Sequence, residues 1–229
     1  MNFEEILADQ RTFFNSLKTR PLQFRKRNLE KLREVIRKNE DFLYEAVYKD
    51  FSKSKFDTYT TEISFILKDI DYYLKNLNSL AKPKKVKTNL ANQLGKSRIY
   101  TDPLGCTLVI GAWNYPYQLS LSPMIAALAA GNTCIVKPSE VAEHTMKAMA
   151  KIINENFPKE YLFVVEGGVE EITEILKLKF DKIFFTGSTK VGQIVYEAAA
   201  KNLTPVTLEL GGKSPCIVTA NADFEVPRV

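Results

Sequence analysis

The feature that most constrains this chain is an alternation of short apolar runs with helical patterns, which begins at Thr107 and continues to Leu210. The apolar runs predict five strands: TLVI (107–110), TCIV (133–136), LFVV (162–165), KIFF (182–185) and VTLEL (206–210). Helical patterns lie between them; one is expected to end at Gly131, and another to begin with Ser139 as its N-cap. Continuous apolar strands separated by helices are typical of a parallel sheet with helices on both faces. The sequence therefore predicts an α/β fold built on a five-stranded, parallel, doubly wound sheet.

The first part of the chain has a different pattern, which predicts helices alone. Within residues 1–80, apolar residues such as Leu29 and Ile36 recur at helical spacing, and the last helix of this part is expected over 60–80. Residues 81–103 are rich in lysine, and they predict a linker or an extended arm. We therefore predict four segments: N-terminal helices that pack on the next unit (1–80), a linker or oligomerisation arm (81–103), the α/β unit (104–208) and the start of a further domain (209–229).

Composition argues against several classes of protein. The net charge is +5, but basic runs such as 25–38 are interleaved with acids at helical spacing and are typical of solvated helix faces. KPKKVK (82–87) could be a nuclear-localisation or phosphate-binding patch; a solvated linker is favoured because no nucleic-acid motif accompanies it, so we expect no nucleic-acid partner. One histidine and no Cys-x-x-Cys argue against a metal site, and no apolar run has the length of a membrane span. Cys106, Cys134 and Cys216 adjoin apolar runs, which predicts buried, reduced thiols in a cytoplasmic protein.

Polar side chains follow two of the predicted strands, and parallel strands bring such positions to one edge of a sheet. Asn114 follows the first strand, where it is either a turn residue or an amide donor for a developing oxyanion. Lys137 and Glu140 follow the second strand. There the carboxylate either complements a helix dipole or joins the lysine in binding a ribose.

Two further features belong to the fourth and fifth strands. TGSTKVG (186–192) offers small residues and a helix N-terminus to a pyrophosphate, although it lacks the G-x-G-x-x-G and P-loop patterns. Glu209 lies within the fifth strand, where a charge that faces the core is costly unless it is paired or used. Gly211 and Gly212 follow it, which predicts a sharp turn or a close approach of the backbone. Together these loops favour a nucleotide-binding catalytic edge over a structural module.

Two long stretches carry a resemblance to a known family. PLGCTLVIGAWNYPYQLSLSPMIAALAAGNTCIVKPSE and FFTGSTKVGQIVYEAAAKNLTPVTLELGGKSPCIV are similar to the aldehyde dehydrogenase superfamily, and most similar to its class 3-type branch. The resemblance implies a Rossmann-like NAD(P)-binding domain at 104–208 and a catalytic domain that begins at 209. It also implies oxidation of an aldehyde to a carboxylate through a cysteine thioester, with NAD or NADP as cofactor and a homodimer as the assembly.

The resemblance also implies roles for individual residues. Asn114 is implied to be the oxyanion amide and Glu209 the base that activates water for deacylation. The cofactor contacts implied are Trp113, Lys137, Glu140, Gly187, Ser188 and Gly211, and Tyr115 is implied to line the substrate entrance.

The family's nucleophile lies in a GQxC motif, and this sequence contains no such string. Cys106, Cys134 and Cys216 are all expected to be core thiols. We expect the chain to be the cofactor-binding half of a dehydrogenase, cut short after NADFEVPRV, where the family would continue into the catalytic domain, and inactive alone. The alternative is that the chain is a catalytically inactive nucleotide-binding or assembly module derived from such an enzyme.

Overall fold

The computed structural model describes residues 2–223. Its first eighty residues are helical, as the apolar spacing predicts. A π-helical turn (Tyr59–Ile63) replaces the start of the helix expected over 60–80. The helices are α1 (Phe3–Asn15), α2 (Leu22–Lys38), α3 (Glu40–Phe51), α4 (Lys55–Thr58) and α5 (Ser64–Leu80).

Residues 81–103, predicted as a linker or arm, contain a small antiparallel ribbon. Strand β1 (Lys84–Lys85) pairs with β2 (Arg98–Ile99), and a 3₁₀ turn (Leu90–Asn92) lies between them. The ribbon exposes apolar side chains, among them Leu94. Within residues 2–223, none of the helices combines the length and the apolarity needed to cross a bilayer.

The predicted parallel sheet is confirmed. Its strands are β3 (Cys106–Ile110), β4 (Thr133–Lys137), β5 (Leu162–Val164), β6 (Lys182–Gly187) and β7 (Val206–Leu210), in the order β5-β4-β3-β6-β7. The connecting helices are α6 (Pro116–Ala130), α7 (Glu143–Asn154), α8 (Val169–Ile175) and α9 (Thr189–Ala200). The chain runs outward from β3 through β4 to β5 and then returns to the other side of β3. The reversal places a crevice at the carboxyl ends of β3 and β6, where ligands bind in open α/β sheets.

The core has two parts, one on each face of the sheet, because neighbouring strand residues point in opposite directions. Val109 of β3 packs in one part with residues of α2, α3 and α5–α7. Leu108 and Ile110 pack in the other with residues of α1, α8 and α9. The N-terminal helices therefore contribute to both sides. Each fully buried aliphatic side chain contributes about 1.5–3 kcal/mol.

The cysteine predictions are correct for two of the three thiols. Cys106 and Cys134 are buried in β3 and β4. Burial raises the pKa of both thiols, that of Cys134 to about 12. Cys216 is exposed, so the prediction that it is a core thiol is wrong. Its segment leaves the sheet after β7 and forms no strand among the described residues, so its apolar neighbours have nothing to pack on.

Gly131 ends α6 in the left-handed conformation as predicted, with φ +96°, but the predicted N-cap of α7 is wrong. The Ser139 hydroxyl accepts a hydrogen bond from the Val141 amide in a turn, and α7 begins four residues after Ser139. Asp50 of α3 caps α7 instead. Its carboxylate accepts hydrogen bonds from the His144 amide (3.0 Å), the Thr145 amide (2.8 Å) and the Thr145 hydroxyl (2.7 Å). A carboxylate from a separate helix thus satisfies amides that have no intrahelical acceptor.

We expect Asp50→Asn to lower the free energy of unfolding by about 1–3 kcal/mol, because it removes a charged partner from the His144 amide and ring and from the Thr145 amide and hydroxyl. Burial acts to raise the pKa of Asp50, but hydrogen bonds from Thr145 and His144 hold it below the ordinary value. The stabilisation is therefore fully present above the ordinary aspartate pKa and lost as pH falls through the native-state pKa. Urea unfolding at about pH 7 and about pH 3 measures both effects.

Asp41→Asn is the matched control, because Asp41 pairs with Lys55 on the surface and its side chain is 87% exposed. Its effect is expected to stay below about 1 kcal/mol. An equal effect of the two substitutions would contradict the capping role of Asp50.

Candidate active site

A cavity of about 1090 Å³ lies at the carboxyl ends of β3, β4, β6 and β7. The structure brings all nine predicted site residues to its lining. They are Trp113, Asn114, Tyr115, Lys137, Glu140, Gly187, Ser188, Glu209 and Gly211. Parallel strands explain this convergence, because the loops that follow them emerge at one edge. The individual roles of these residues stay predictions.

The segment 111–115 connects β3 to α6 and carries Asn114 on its exposed part. At its start, the Gly111 amide donates to the Lys137 carbonyl oxygen over 3.1 Å, so the segment begins as a continuation of the sheet. A Cβ at Gly111 would lie 2.1 Å from the Ser120 hydroxyl of α6. Only glycine permits this close approach, so position 111 fixes the path of the segment from β3 into the helix.

Lys137 and Glu140 meet at the second strand end, as the sequence predicts. The Lys137 side chain is 2% exposed, and its Nζ donates to the Pro138 carbonyl oxygen over 2.6 Å. Glu140 Oε2 lies 3.6 Å from Nζ and is accessible from the cavity. Burial lowers the pKa of Lys137, and the Glu140 carboxylate acts in the opposite direction. The pair thus offers a donor and an acceptor side by side.

The turn after β6 is the N-terminus of α9. Ser188 is its N-cap, and its hydroxyl accepts a hydrogen bond from the Val191 amide over 3.3 Å. A Cβ at Gly187 would lie 2.6 Å from the Phe185 ring. The Thr186 hydroxyl is buried in the cavity wall and has no partner within the described residues. This wall therefore combines helix amides with an unsatisfied polar atom, which suits a polar ligand.

Glu209 lies opposite Thr186 in the β6–β7 register and is exposed. Its charge does not face the core, because β7 is the edge strand and this side chain lines the cavity. The predicted turn at Gly211 and Gly212 is wrong. Neither residue lies in a turn or a bend, and a Cβ at either would meet no atom within 4 Å. No described element packs there to force a turn.

Comparison with known proteins decides the family. The sequence model of the Aldehyde dehydrogenase family matches residues 1–227. The chain belongs to the aldehyde dehydrogenase family. The predicted resemblance is thereby confirmed.

Relatives of this dehydrogenase family cover nearly the whole chain. The chain is 47% identical over 216 residues to aldehyde dehydrogenase family 3 member A2 of Pongo abelii, which covers 94% of the chain and 44% of that protein. It is 45% identical to the mouse aldehyde dehydrogenase, dimeric NADP-preferring, over 98% of the chain and 50% of that protein. A solved structure of Staphylococcus aureus AldH in a substrate-bound state matches with 46% identity and a TM-score of 0.91, over 94% of the chain and 47% of that chain. The chain thus spans about half the length of the dehydrogenases it matches.

Sequence reasoning missed the residues that support the Asn114 segment. Glu62 of the π-helical turn is fully buried and accepts hydrogen bonds from the amides of Tyr117 and Gln118. Lys53 pairs with this carboxylate. Glu62 lies 55 and 56 positions before the two residues whose amides it binds. A glutamate among apolar positions of a helix is the only local sign that could have indicated a buried partner.

We expect Gly111→Ala to lower the free energy of unfolding by about 1–3 kcal/mol, because the new methyl group collides with the Ser120 hydroxyl. Ser120→Ala alone should be nearly neutral, because its hydroxyl is buried without a partner among the described residues. In the double variant the loss should be smaller than in Gly111→Ala alone, since the closest contact is gone. Urea unfolding of the four proteins of the cycle measures this coupling.

Gly211→Ala serves as the control, because the new methyl group there meets no atom within 4 Å. If the losses in the free energy of unfolding at positions 111 and 120 were additive, there would be no steric repulsion between the new methyl group and the Ser120 hydroxyl.

Proposed function

We propose that the chain forms the cofactor-binding half of an NAD(P)-dependent aldehyde dehydrogenase, which oxidises an aldehyde to a carboxylic acid. The observation that carries the proposal is the convergence of Asn114, Lys137, Glu140, Ser188 and Glu209 on one cavity at the carboxyl edge of the sheet. We propose residues 104–208 as the NAD(P)-binding domain and 209–229 as the start of the catalytic domain. Residues 224–229 of that segment lie outside the described residues.

The residues present fit a dinucleotide. Glu140 can accept hydrogen bonds from ribose hydroxyls while Lys137 donates to them, and the two atoms are already 3.6 Å apart. Gly187 and Ser188 open α9, whose first amides can hold a pyrophosphate. The open space beside Gly211 and the unsatisfied Thr186 hydroxyl provide room and a polar contact further along the cavity. Trp113 is proposed to lie against the cofactor, and Tyr115 to line the substrate entrance.

Asn114 and Glu209 supply two complementary functions for acyl chemistry. The Asn114 amide can donate to an aldehyde oxygen as negative charge develops on it; losing such a donor costs about 10²–10³-fold in rate. Glu209 can take a proton from the water that attacks the acyl group. When bound, the nicotinamide supplies the hydride acceptor.

The alternative is a nucleotide-binding or assembly module without dehydrogenase activity. One observation favours it: no cysteine belongs to the cavity lining within the described residues. Cys106 and Cys134 are buried in strands, and the pKa of each is raised, which makes the thiolate less available. The mouse relative is named as dimeric. We propose a homodimer for this chain as well, with the β1–β2 ribbon as its arm.

NAD(P)-dependent oxidation of medium-chain and aromatic aldehydes by this chain distinguishes the two functions. If the chain turns over, Glu209→Gln should lower the rate by about 10²–10⁴-fold and leave cofactor affinity unchanged, because it removes only the base. Glu197→Gln on the exposed side of α9 is the matched control, expected to behave as the wild type. Turnover would overturn the module, whereas cofactor binding without turnover would agree with both functions, because the half is expected to be inactive alone. Failure to bind either nucleotide would overturn both nucleotide-binding functions and leave only an assembly module.

We expect Glu140 to set the preference between NAD and NADP. The mouse relative is named NADP-preferring. In this chain the Glu140 carboxylate should repel a 2′-phosphate, which Lys137 alone would attract. Glu140→Gln should therefore raise the affinity for NADP⁺ relative to NAD⁺ by about tenfold. Titration calorimetry with both nucleotides measures the ratio.

Glu143→Gln is the control for charge alone, because Glu143 lies three residues further on and pairs with Lys147 on the surface. An unchanged ratio in Glu140→Gln, or an equal change in the control, would contradict the assignment.

A further inference from the structure

Glu62 is a fully buried carboxylate whose oxygens have separate partners. Its Oε2 accepts hydrogen bonds from the amides of Tyr117 (2.8 Å) and Gln118 (3.3 Å). Its Oε1 accepts from Lys53 Nζ over 2.8 Å. Removing one of these hydrogen bonds would leave a buried charge incompletely satisfied, which is costly. The three partners therefore hold the Glu62 carboxylate in one position.

The two amides that Glu62 binds are those that the start of α6 leaves free. Pro116 opens the helix and has no amide hydrogen, and Tyr115 makes no side-chain capping bond. Tyr117 and Gln118 are therefore the first donors of the helix, and both point to one oxygen atom. Since Asn114 lies two residues before Pro116, the carboxylate fixes the end of the segment that carries it.

Lys53 and the nearby Phe51 contact the aromatic rings on either side of Asn114. Lys53 Nζ lies 4.7 Å from the centroid of the Tyr115 ring. The Trp113 ring packs on Phe51 of α3, with centroids 6.0 Å apart. Asn114 thus lies between two aromatic residues, and the ring of each contacts a residue of the N-terminal region. Glu62 itself lies in a π-helical turn, a feature frequent at functional sites.

We propose that Glu62 is a positioning residue for Asn114, acting through the amides of α6 and oriented by Lys53. The functional part of this inference rests on the proposed oxyanion role of Asn114. An amide displaced by about 1 Å can lose about 10²-fold in rate, so the segment needs a support that a surface loop cannot give itself. The carboxylate has no contact with the reacting atoms in this arrangement; it sets where the Asn114 donor lies.

If Glu62 only stabilised the start of α6, its loss would lower stability without releasing the Asn114 segment. Asp50 caps α7 in the same way, through two amides, but α7 does not follow the Asn114 segment. Loss of either carboxylate should lower stability. Only the loss of Glu62 should release the segment 111–115, and Trp113, the single tryptophan of the chain, reports on that segment.

The experiment compares Trp113 fluorescence and its quenching by acrylamide in the 229-residue chain and four variants. Glu62→Gln keeps the shape, but its amide nitrogen must face either Lys53 or the helix amides, so one set of bonds is lost. Trp113 is 51% exposed, so its quenching constant should rise by up to about twofold as the segment detaches. Lys53→Met should also raise the quenching constant, while Lys53→Arg should keep it at the wild-type value. Asp50→Asn should leave it unchanged.

Each outcome bears on the inference alone, because the assay contains neither cofactor nor aldehyde. A quenching constant in Glu62→Gln equal to that in Asp50→Asn would overturn the positioning role, even if the chain oxidises aldehydes. A raised constant would support it, even if the chain binds no nucleotide. If Glu62→Gln does not fold, the contrast between Lys53→Met and Lys53→Arg decides: equal values for these two variants would overturn the inference.

Discussion

The arrangement of the cavity depends on how the free amides at the starts of two helices are satisfied. Neither α6 nor α7 has a side-chain cap of its own at its N-cap residue. Asp50 and Glu62, both from the helical region that precedes the sheet, supply the missing acceptors. These hydrogen bonds tie that region to the starts of α6 and α7, and the loops after β3 and β4 that precede these helices contribute to the cavity lining. The N-terminal helices are therefore part of the site's support, in addition to covering the sheet.

The lining of the cavity contains one basic and two acidic side chains, Lys137, Glu140 and Glu209. Lys137 is buried next to Glu140, and the opposite charges lower the cost of placing a lysine at the end of an apolar strand. Glu209 stands across the cavity on the edge strand, where water reaches it. An amide, a cation and two carboxylates thus surround a partly apolar space: Asn114 follows β3, Lys137 ends β4 with Glu140 three residues later, and Glu209 lies in β7. Three different strands therefore hold these groups while the ligand lies between them.

The sequence predicted the sheet well because its information is local: five apolar runs and the helices between them define the strands, and parallel pairing then requires their loops to meet. It failed where partners are distant in the chain. Ser139 is a good N-cap by composition, but Asp50, 95 positions from Thr145, occupies that role. Cys216 has apolar neighbours, yet no element lies beside it among the described residues. The partners of Glu62 could not be identified from the sequence, since its contacts with the Tyr117 and Gln118 amides are visible only when α6 is placed against the π-helical turn.

The edge position of β7 has a consequence for Glu209. The strand has five residues, and β6 is its one ladder partner among the described residues, with Glu209 opposite Thr186. Side chains alternate along a strand, so a slip of one residue against β6 would exchange a carboxylate for a leucine at the cavity wall. The leucines that flank Glu209, Leu208 and Leu210, approach Gly192 of α9, and they oppose such a slip because it would take them from their contacts. The chemical identity of this wall is thus determined by two aliphatic side chains that take no part in any reaction.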